Sequence, residues 1–332
     1  MNTSSRLFTM TTTAKIDPNN PDGEIISRAA EVIRSGGLVA FPTETVYGLG
    51  ADALNPEAVR SIYAAKGRPS DNPLILHVAS LDQAEGLVFM NDTARRLAHT
   101  FWPGPLTFVL PAKSCVPAVT RGGLDTAAVR MPDNPTALAL IRDSHTPIAA
   151  PSANTSGRPS PTDAASVLAD MDGRIAMILD GGRVRVGIES TVIDITNPER
   201  PLLLRPGGMP IKTLEQILGA KLGVPDSKSS RRSPGTRYRH YSPSVPVKIW
   251  HFGESFPECE YSSAGYMGFH EPPFTTKHAL LFRDNAEYSH ELFAAFRALE
   301  AEGCGCIITE WPEDDTGISA GLRDRILRSA GD

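Results

Sequence analysis

From the start of the chain to about Val224, two hydrophobic patterns alternate. Glu24–Ser35 places Ile25, Ile26, Ala29, Val32 and Ile33 at helical spacing and stops at Gly36–Gly37, the mark of an amphipathic helix with a glycine stop. Leu38–Phe41 follows as a short apolar run closed by Pro42. Asn55 before Pro56 pairs a capping residue with a proline at the first helical position, which opens a helix through about Ala65. Leu74–Ala79, Leu106–Pro111, Ala127–Met131, Pro147–Ala150, Ile175–Leu179, Thr191–Ile195 and Leu202–Leu204 are apolar runs of strand length. Ser80 and Asn91 are caps for two more helices, and Thr213–Leu222 reads as another. Strands alternating with helices predict an α/β fold.

Residues 225–246 break the pattern. They are rich in Ser, Pro and Arg, lack apolar periodicity, and read as a linker. Its second half packs Tyr238, His240 and Tyr241 among Arg237 and Arg239, which is no ordinary solvating composition. Beyond it, Val247–Phe252, a helix near Glu287–Ala301, Cys306–Thr309 and a helix near Ile318–Ser329 predict a smaller second α/β domain. The expected division is a core over 15–224, a linker over 225–246 and a C-terminal domain over 247–332.

Charge sharpens this division. The formal net charge is −5, which argues against a nonspecific nucleic-acid coat. Residues 1–224 carry net −1, residues 225–248 net +5 and residues 249–332 net −9. No apolar run approaches the ~20 residues that span a bilayer. The four cysteines, Cys115, Cys259, Cys304 and Cys306, show neither zinc-ligand spacing nor a disulfide framework. Cys304 and Cys306 flank Gly305 just before Ile307, where alternate residues share one strand face. A reducing, cytoplasmic compartment fits. The first thirteen residues lack the apolar core of a secretory signal; an unstructured start is the expectation there, with an organelle-targeting segment as the weaker alternative.

The candidate chemistry starts with Lys66–Gly67–Arg68–Pro69, two cations at a helix end with a turn between them. Helix-dipole complementarity is the plainer account, but two convergent cations also suit a polyphosphate. Pro151–Ser152–Ala153–Asn154 follows a strand, where open α/β sheets bind ligands; alone, an ordinary polar turn is favoured. Pro42–Gly50 contains Gly48-x-Gly50-x-x-Ala53, yet its distance from strand and helix rejects a dinucleotide fingerprint. A polar loop carrying the Thr43 and Thr45 hydroxyls is expected instead. His77, Arg130 and Arg205 interrupt apolar strands. Each buried cation needs a partner; an internal salt bridge would serve for each arginine, and three such residues on one sheet favour a basic cavity. There is no Walker loop and no Gly-x-Ser-x-Gly elbow.

Together these motifs resemble the threonylcarbamoyl-AMP synthase family in its two-domain form. The resemblance rests on Phe41–Leu49, Lys66–Pro69, Asn72–Leu74, Trp102–Thr107, Val129–Pro132, Ala150–Asn154, Glu189–Thr191, Leu204–Gly207 and the linker Ser233–Tyr241, in that order. It implies a YrdC-like core with a twisted, mixed, open sheet and flanking helices, and a Rossmann-like C-terminal domain. It also implies a reaction in which L-threonine, bicarbonate and ATP give threonylcarbamoyl-AMP and pyrophosphate. A downstream tRNA threonylcarbamoyltransferase complex then modifies the adenosine next to the anticodon, with no direct tRNA binding by this chain required.

By position in the family pattern, Lys66, Arg68, Ser152 and Asn154 would handle phosphates. Thr126, Ser160 and Arg205 would also line the ATP site, and Tyr238, His240 and Tyr241 would close over the ligands. Thr43, His77, Arg130, Ala150 and Ser190 would form the threonine pocket, with Arg130 facing the carboxylate. Mg²⁺ would arrive with ATP. An RNA-binding regulator predicts exposed basic and aromatic stripes, which only the linker offers. A hydrogenase-maturation carbamoyltransferase, which carries a similar core, would add zinc-finger cysteines that this chain lacks.

Overall fold

The computed structural model describes residues 10–233 and 240–331. In the first part lie strands β1 (Thr12–Lys15), β2 (Val39–Phe41), β3 (Gly48–Asp52), β4 (Ile75–His77), β5 (Leu106–Pro111), β6 (Thr126–Arg130), β7 (Ile148–Ala149), β8 (Met177–Asp180), β9 (Thr191–Asp194) and β10 (Leu202–Arg205). Interleaved are helices α1 (Gly23–Arg34), α2 (Pro56–Lys66), α3 (Leu81–Leu87), α4 (Asp92–Phe101), α5 (Pro135–Ser144), α6 (Ala164–Met171), α7 (Ile211–Leu218) and the one-turn α8 (Ser227–Ser230). The strands join in the order β1-β8-β2-β3-β7-β4-β6-β5-β9-β10. Pairing is mixed: β4 with β6 and β5 with β9 are parallel, while β2–β3, β3–β7 and β5–β6 are antiparallel. This is the mixed open sheet with flanking helices that the resemblance implies.

Local signals place the elements. Asn55 caps α2 by accepting from the Glu57 and Ala58 amides, with Pro56 at the first turn. Gly67 ends it in the left-handed region at φ 63°, a turn that glycine makes at little cost and that redirects Arg68 away from the helix. Ser80 and Asn91 cap α3 and α4 as read from the sequence.

Two expectations shift. The unstructured start expected over the first thirteen residues gives way at Thr12 and Thr13, which open an edge strand, Thr12–Lys15, pairing in parallel with β8; residues 1–9 lie outside the described residues. The polar loop expected over 42–50 ends earlier, because Gly48–Asp52 pairs with both β2 and β7. Gly50 sits against Phe41 and Ile148, where a side chain would collide, so a glycine-rich run serves as a close-packed central strand.

The C-terminal part has four parallel strands, β11 (Val247–Trp250), β12 (Ala264–Gly268), β13 (His278–Leu281) and β14 (Cys306–Glu310), in the order β11-β14-β12-β13. Helices α9 (Asn285–Ala301) and α10 (Ser319–Ala330) belong to it. Its apolar cluster is not private. Val46, Ile188 and Tyr241 pack with Phe293, Phe296, Leu322 and Ile326, so the second domain seals against the loops that carry the site.

Candidate active site

A cavity of about 60 Å³ opens among the loops at the middle of the large sheet, lined among others by Thr43, Arg68, His77, Arg130, Ala150, Ser152, Ser190, Arg205, His240 and Tyr241. Strand register explains the core of this set. His77 on β4 lies beside Arg130 on β6, with Ile75 beside Ala128 two residues earlier. Alternate residues of adjacent strands share a face, so His77 and Arg130 emerge together.

All five residues expected for threonine, Thr43, His77, Arg130, Ala150 and Ser190, line the cavity. The Thr43 hydroxyl donates to the Val46 carbonyl at 2.7 Å and sits 2.8 Å from the Thr45 hydroxyl, a short-range turn that fixes the loop. The Ser190 hydroxyl lies 2.8 Å from that of Thr107. Burial, with Arg130 adding to it, lowers the His77 pKa to about 3, so its imidazole is neutral at pH 7 and rests edge-on to Phe41 at 6.1 Å.

Arg130 is only 3% exposed and has an internal partner. One terminal nitrogen pairs with Glu44, itself 1% exposed. The other donates to the Thr45 hydroxyl at 3.1 Å, and Nε donates to the Gly104 carbonyl at 3.2 Å. The salt bridge and the basic cavity, posed as alternatives from the sequence, coexist. Oε1 of Glu44 is buried with no hydrogen-bond partner.

The phosphate-directed residues divide. Arg68, Ser152, Arg205, His240 and Tyr241 line the cavity, whereas Lys66, Asn154, Thr126 and Ser160 lie outside its lining. Tyr238 falls outside the described residues. Lys66 is 2% exposed and donates to the Ser152 carbonyl at 2.6 Å, to the Asn154 carbonyl, and to Asn154 Oδ1 at 3.4 Å. It ties down the Ser152–Asn154 loop from beneath, and burial together with Arg68 lowers its pKa well below the ordinary lysine value. The Asn154 amide is used internally too. It accepts from the Ser152 hydroxyl at 2.5 Å and donates to the Thr155 and Arg158 carbonyls, both at 2.9 Å. Ser160 donates to Glu189 at 2.5 Å. Thr126 opens β6, opposite Pro111.

Arg68 and Arg205 carry the cationic side of the cavity. Burial lowers the Arg68 pKa to about 10, with Arg205 adding to the effect. The guanidinium stays charged at neutral pH. Its Nη2 donates to the Pro73 carbonyl at 3.2 Å, and its Nε is buried without a hydrogen bond. Arg205 donates to the Ser190 carbonyl at 2.9 Å and to the Ser190 hydroxyl at 3.2 Å. His240 Nε2 is likewise buried and unbonded, and burial beside Arg68 and Lys66 lowers its pKa to about 3. Buried polar atoms normally find partners, so these donors and acceptors around one cavity suit a polar, anionic ligand.

Two acids were missed as site residues. Glu44 stood in the Thr43–Thr45 motif and Glu189 in Glu189–Ser190–Thr191, but nothing local shows which arginine either one meets. Glu189 lines the cavity, accepts from Ser160, and receives Arg325 Nε at 2.6 Å from α10. Burial opposes its charge. Arg325, Arg205 and the Ser160 hydrogen bond outweigh burial and hold its pKa below the usual glutamate value.

Comparison with known proteins gives this geometry its family. A profile described as "Telomere recombination" matches residues 31–207, and one described as "Threonylcarbamoyl-AMP synthase, C-terminal domain" matches residues 209–331. A threonylcarbamoyl-AMP synthase of Pyrococcus abyssi is 45% identical, covering 91% of this chain and 93% of the relative. The chain belongs to the threonylcarbamoyl-AMP synthase family. A Bacillus subtilis member is 42% identical over 96% of both chains. The crystal structure of P. abyssi Sua5 complexed with L-threonine superposes with a TM-score of 0.89 at 41% identity, covering 97% of this chain and 98% of that one. That structure thus shares both parts of this fold.

Proposed function

We propose that this cavity is where the chain makes L-threonylcarbamoyladenylate and pyrophosphate from L-threonine, bicarbonate and ATP, for threonylcarbamoyladenosine modification of tRNA. The observation that carries the reading is the convergence of Arg68, Arg130 and Arg205 on one cavity whose other wall is Thr43, His77, Ala150 and Ser190. A relative solved with L-threonine supports the amino-acid half.

The bond changes are few. The amine of threonine bonds to the carbon of bicarbonate, and a C–O bond breaks to release water, giving a carbamate. A carbamate oxygen attacks the α-phosphorus of ATP, the bond from that phosphorus to the β-phosphate bridge breaks, and pyrophosphate leaves with the electron pair. The protein's work is positioning and charge neutralisation, which suits a site rich in arginine and hydroxyls. Arg130, whose three nitrogens already meet Glu44, the Thr45 hydroxyl and the Gly104 carbonyl, uses the second N–H of each terminal nitrogen for the threonine carboxylate. Arg68 and Arg205 hold the phosphates, with the Ser152 hydroxyl beside them. Lys66 acts from below, by shaping the Ser152–Asn154 loop.

Mg²⁺ belongs to this proposal as a passenger of ATP. Among the described residues no group of three His, Cys, Asp or Glu side chains could hold a metal ion. The cavity offers the hydroxyls of Thr43, Ser152 and Ser190 instead, which fits an ion bound mainly by phosphates and water. When bound, it neutralises charge on the triphosphate.

A cavity of about 60 Å³ is small beside the ~300–1,000 Å³ of pockets for drug-sized ligands. Nucleotide entry therefore needs the linker around His240 and Tyr241 to withdraw, and its return would exclude water from a labile mixed anhydride. Tyr241 holds φ 67°, a left-handed conformation that costs a bulky residue about 1–3 kcal/mol and that clusters at ligand clamps.

Among the described residues no helix is long and apolar enough to cross a membrane. The four cysteines are free, which suits a reducing, cytoplasmic setting. The reading is tested by measuring pyrophosphate release with each of the three substrates omitted in turn. Release that persists without threonine overturns it.

A further inference from the structure

The contacts between the two domains concentrate on the active cavity. Arg325 on α10 is fully buried and touches three separate pieces of the cavity's surround. Its Nε donates to Glu189 Oε2 at 2.6 Å. Its Nη1 donates to the carbonyl of Pro206, the residue after Arg205, at 3.1 Å. Its guanidinium lies 5.1 Å from the centre of the Tyr241 ring, within cation–π range. Asp324 completes the set at 2.5 Å. Tyr241 is in turn stacked on Phe293 of α9 at 5.3 Å.

The backbone is shaped for this approach. A side chain at Gly187, which stands at φ 85°, would meet the His290 backbone of α9 at 2.4 Å. A side chain at Gly321 would meet Ile188 at 2.8 Å and Gly207 at 2.9 Å. Both helices therefore press directly onto the segments that carry Glu189 and Arg205. A second set of contacts grips the other side of the site. Arg158 pairs with Glu300 at 2.8 Å, and Arg297 pairs with Asp170 at 3.0 Å and donates to the Pro159 carbonyl at 2.6 Å. These hold the segment between Asn154 and Ser160.

We propose that Arg325 is a positioning residue for the reaction: acting through Glu189, Tyr241 and the Pro206 carbonyl, it sets the cavity wall and seats the end of the linker, so the C-terminal domain completes the active site. A buried guanidinium held by a carboxylate, a carbonyl and an aromatic face has one geometry available. Glu189, fixed at one oxygen by Arg325 and at the other by Ser160, transmits that geometry to Ser190 and Arg205. The proposal rests on the cavity being the site of the family's reaction.

The test uses the full chain. Arg325→Gln, Arg325→Lys, Glu189→Gln, the Arg325→Gln/Glu189→Gln pair and the control Glu291→Gln are compared in pyrophosphate release and thermal unfolding. Glu291 makes an interdomain pair with Arg183, at 2.8 Å, away from the cavity. Arg325→Gln is expected to lower kcat by about tenfold, about 1.4 kcal/mol in the barrier, while remaining folded at the assay temperature. Arg325→Lys, which keeps the charge but loses the fork, should recover part of that loss. The double variant should lose no more than the larger single loss, and Glu291→Gln should turn over like the wild type. Should Arg325→Gln fail to fold, a kcat loss in folded Arg325→Lys supports the proposal. Wild-type kcat in either folded Arg325 variant, fully additive losses, or an equal loss in Glu291→Gln would overturn it. A wild-type chain that makes no pyrophosphate at all would instead overturn the reaction reading.

Discussion

Glu44→Gln isolates the most consequential buried pair in the site. Glu44 and Arg130 are 1% and 3% exposed, and the substitution removes the charge while keeping the shape. Arg130 retains the Thr45 hydroxyl at 3.1 Å and the Gly104 carbonyl at 3.2 Å, but no longer has its anion. Removing one partner of a buried pair costs about 3–5 kcal/mol. The surviving hydrogen bonds, and an amide oxygen able to accept, place this case at the lower end, about 3 kcal/mol. Such a loss lowers Tm by about 6–12 °C in a core of this size. L-threonine supplies the second half of the test. If its carboxylate reaches Arg130, it replaces the missing charge, so the rise in Tm at saturating threonine is larger in Glu44→Gln than in the wild type. In Arg130→Ala the rise disappears. The assay is a thermal melt of the full chain with and without threonine. A Glu44→Gln Tm within about 2 °C of wild type, or a threonine-induced rise no larger than in the wild type, refutes the reasoning.

Other expectations follow from the same geometry. Lys66→Met unties the Ser152–Asn154 loop, and a misplacement of about 1 Å costs ~10²-fold, so pyrophosphate release should fall at least that far. Ser152→Ala should likewise abolish most turnover, and near-normal rates in both variants would remove the loop from the site. Glu189 has a lowered pKa, so its contribution to stability is complete above the ordinary glutamate value and fades as pH falls through the folded value. Melts below about pH 4.5 should therefore show a smaller acid loss in Glu189→Gln than in the wild type. His77 acts in the same direction but from a higher pH: its pKa is depressed to about 3, so the unfolded chain takes up a proton that the folded chain refuses. Stability falls as pH drops below about 6.5, and His77→Gln should flatten that limb. A chain ending at Val224 should fold and turn over poorly, as measured by circular dichroism and pyrophosphate release.

What could be read in the sequence was local. The Asn55–Pro56 start, the Ser80 and Asn91 caps and the Leu106–Pro111 strand need only their own neighbours, and all appear as read. Gly48–Asp52 escaped because its glycines signal a loop, whereas the packing of Phe41 and Ile148 makes them a strand. His77 and Arg130 stood out because each interrupts an apolar strand, whereas Thr43, Ala150 and Ser190 were singled out for the pocket only by the family resemblance. Lys66 and Asn154 were legible as members of a motif but not in direction: the loop they stabilise is set by carbonyl positions. The pairings Glu44–Arg130 and Glu189–Arg325 span 86 and 136 residues. Nothing in either local stretch names the partner, so only the folded chain shows that both acids belong to the site.

The account's central claim is that one cavity joins a carbamoylated threonine to the α-phosphate of ATP. Mass detection of products after incubating the full chain with L-threonine, bicarbonate and ATP tests it most directly. The expected result is threonylcarbamoyl-AMP with pyrophosphate, dependent on all three substrates and lost in Arg68→Ala. Folded, full-length protein that yields no threonylcarbamoyl-AMP, or product formation unaffected by Arg68→Ala, would contradict it.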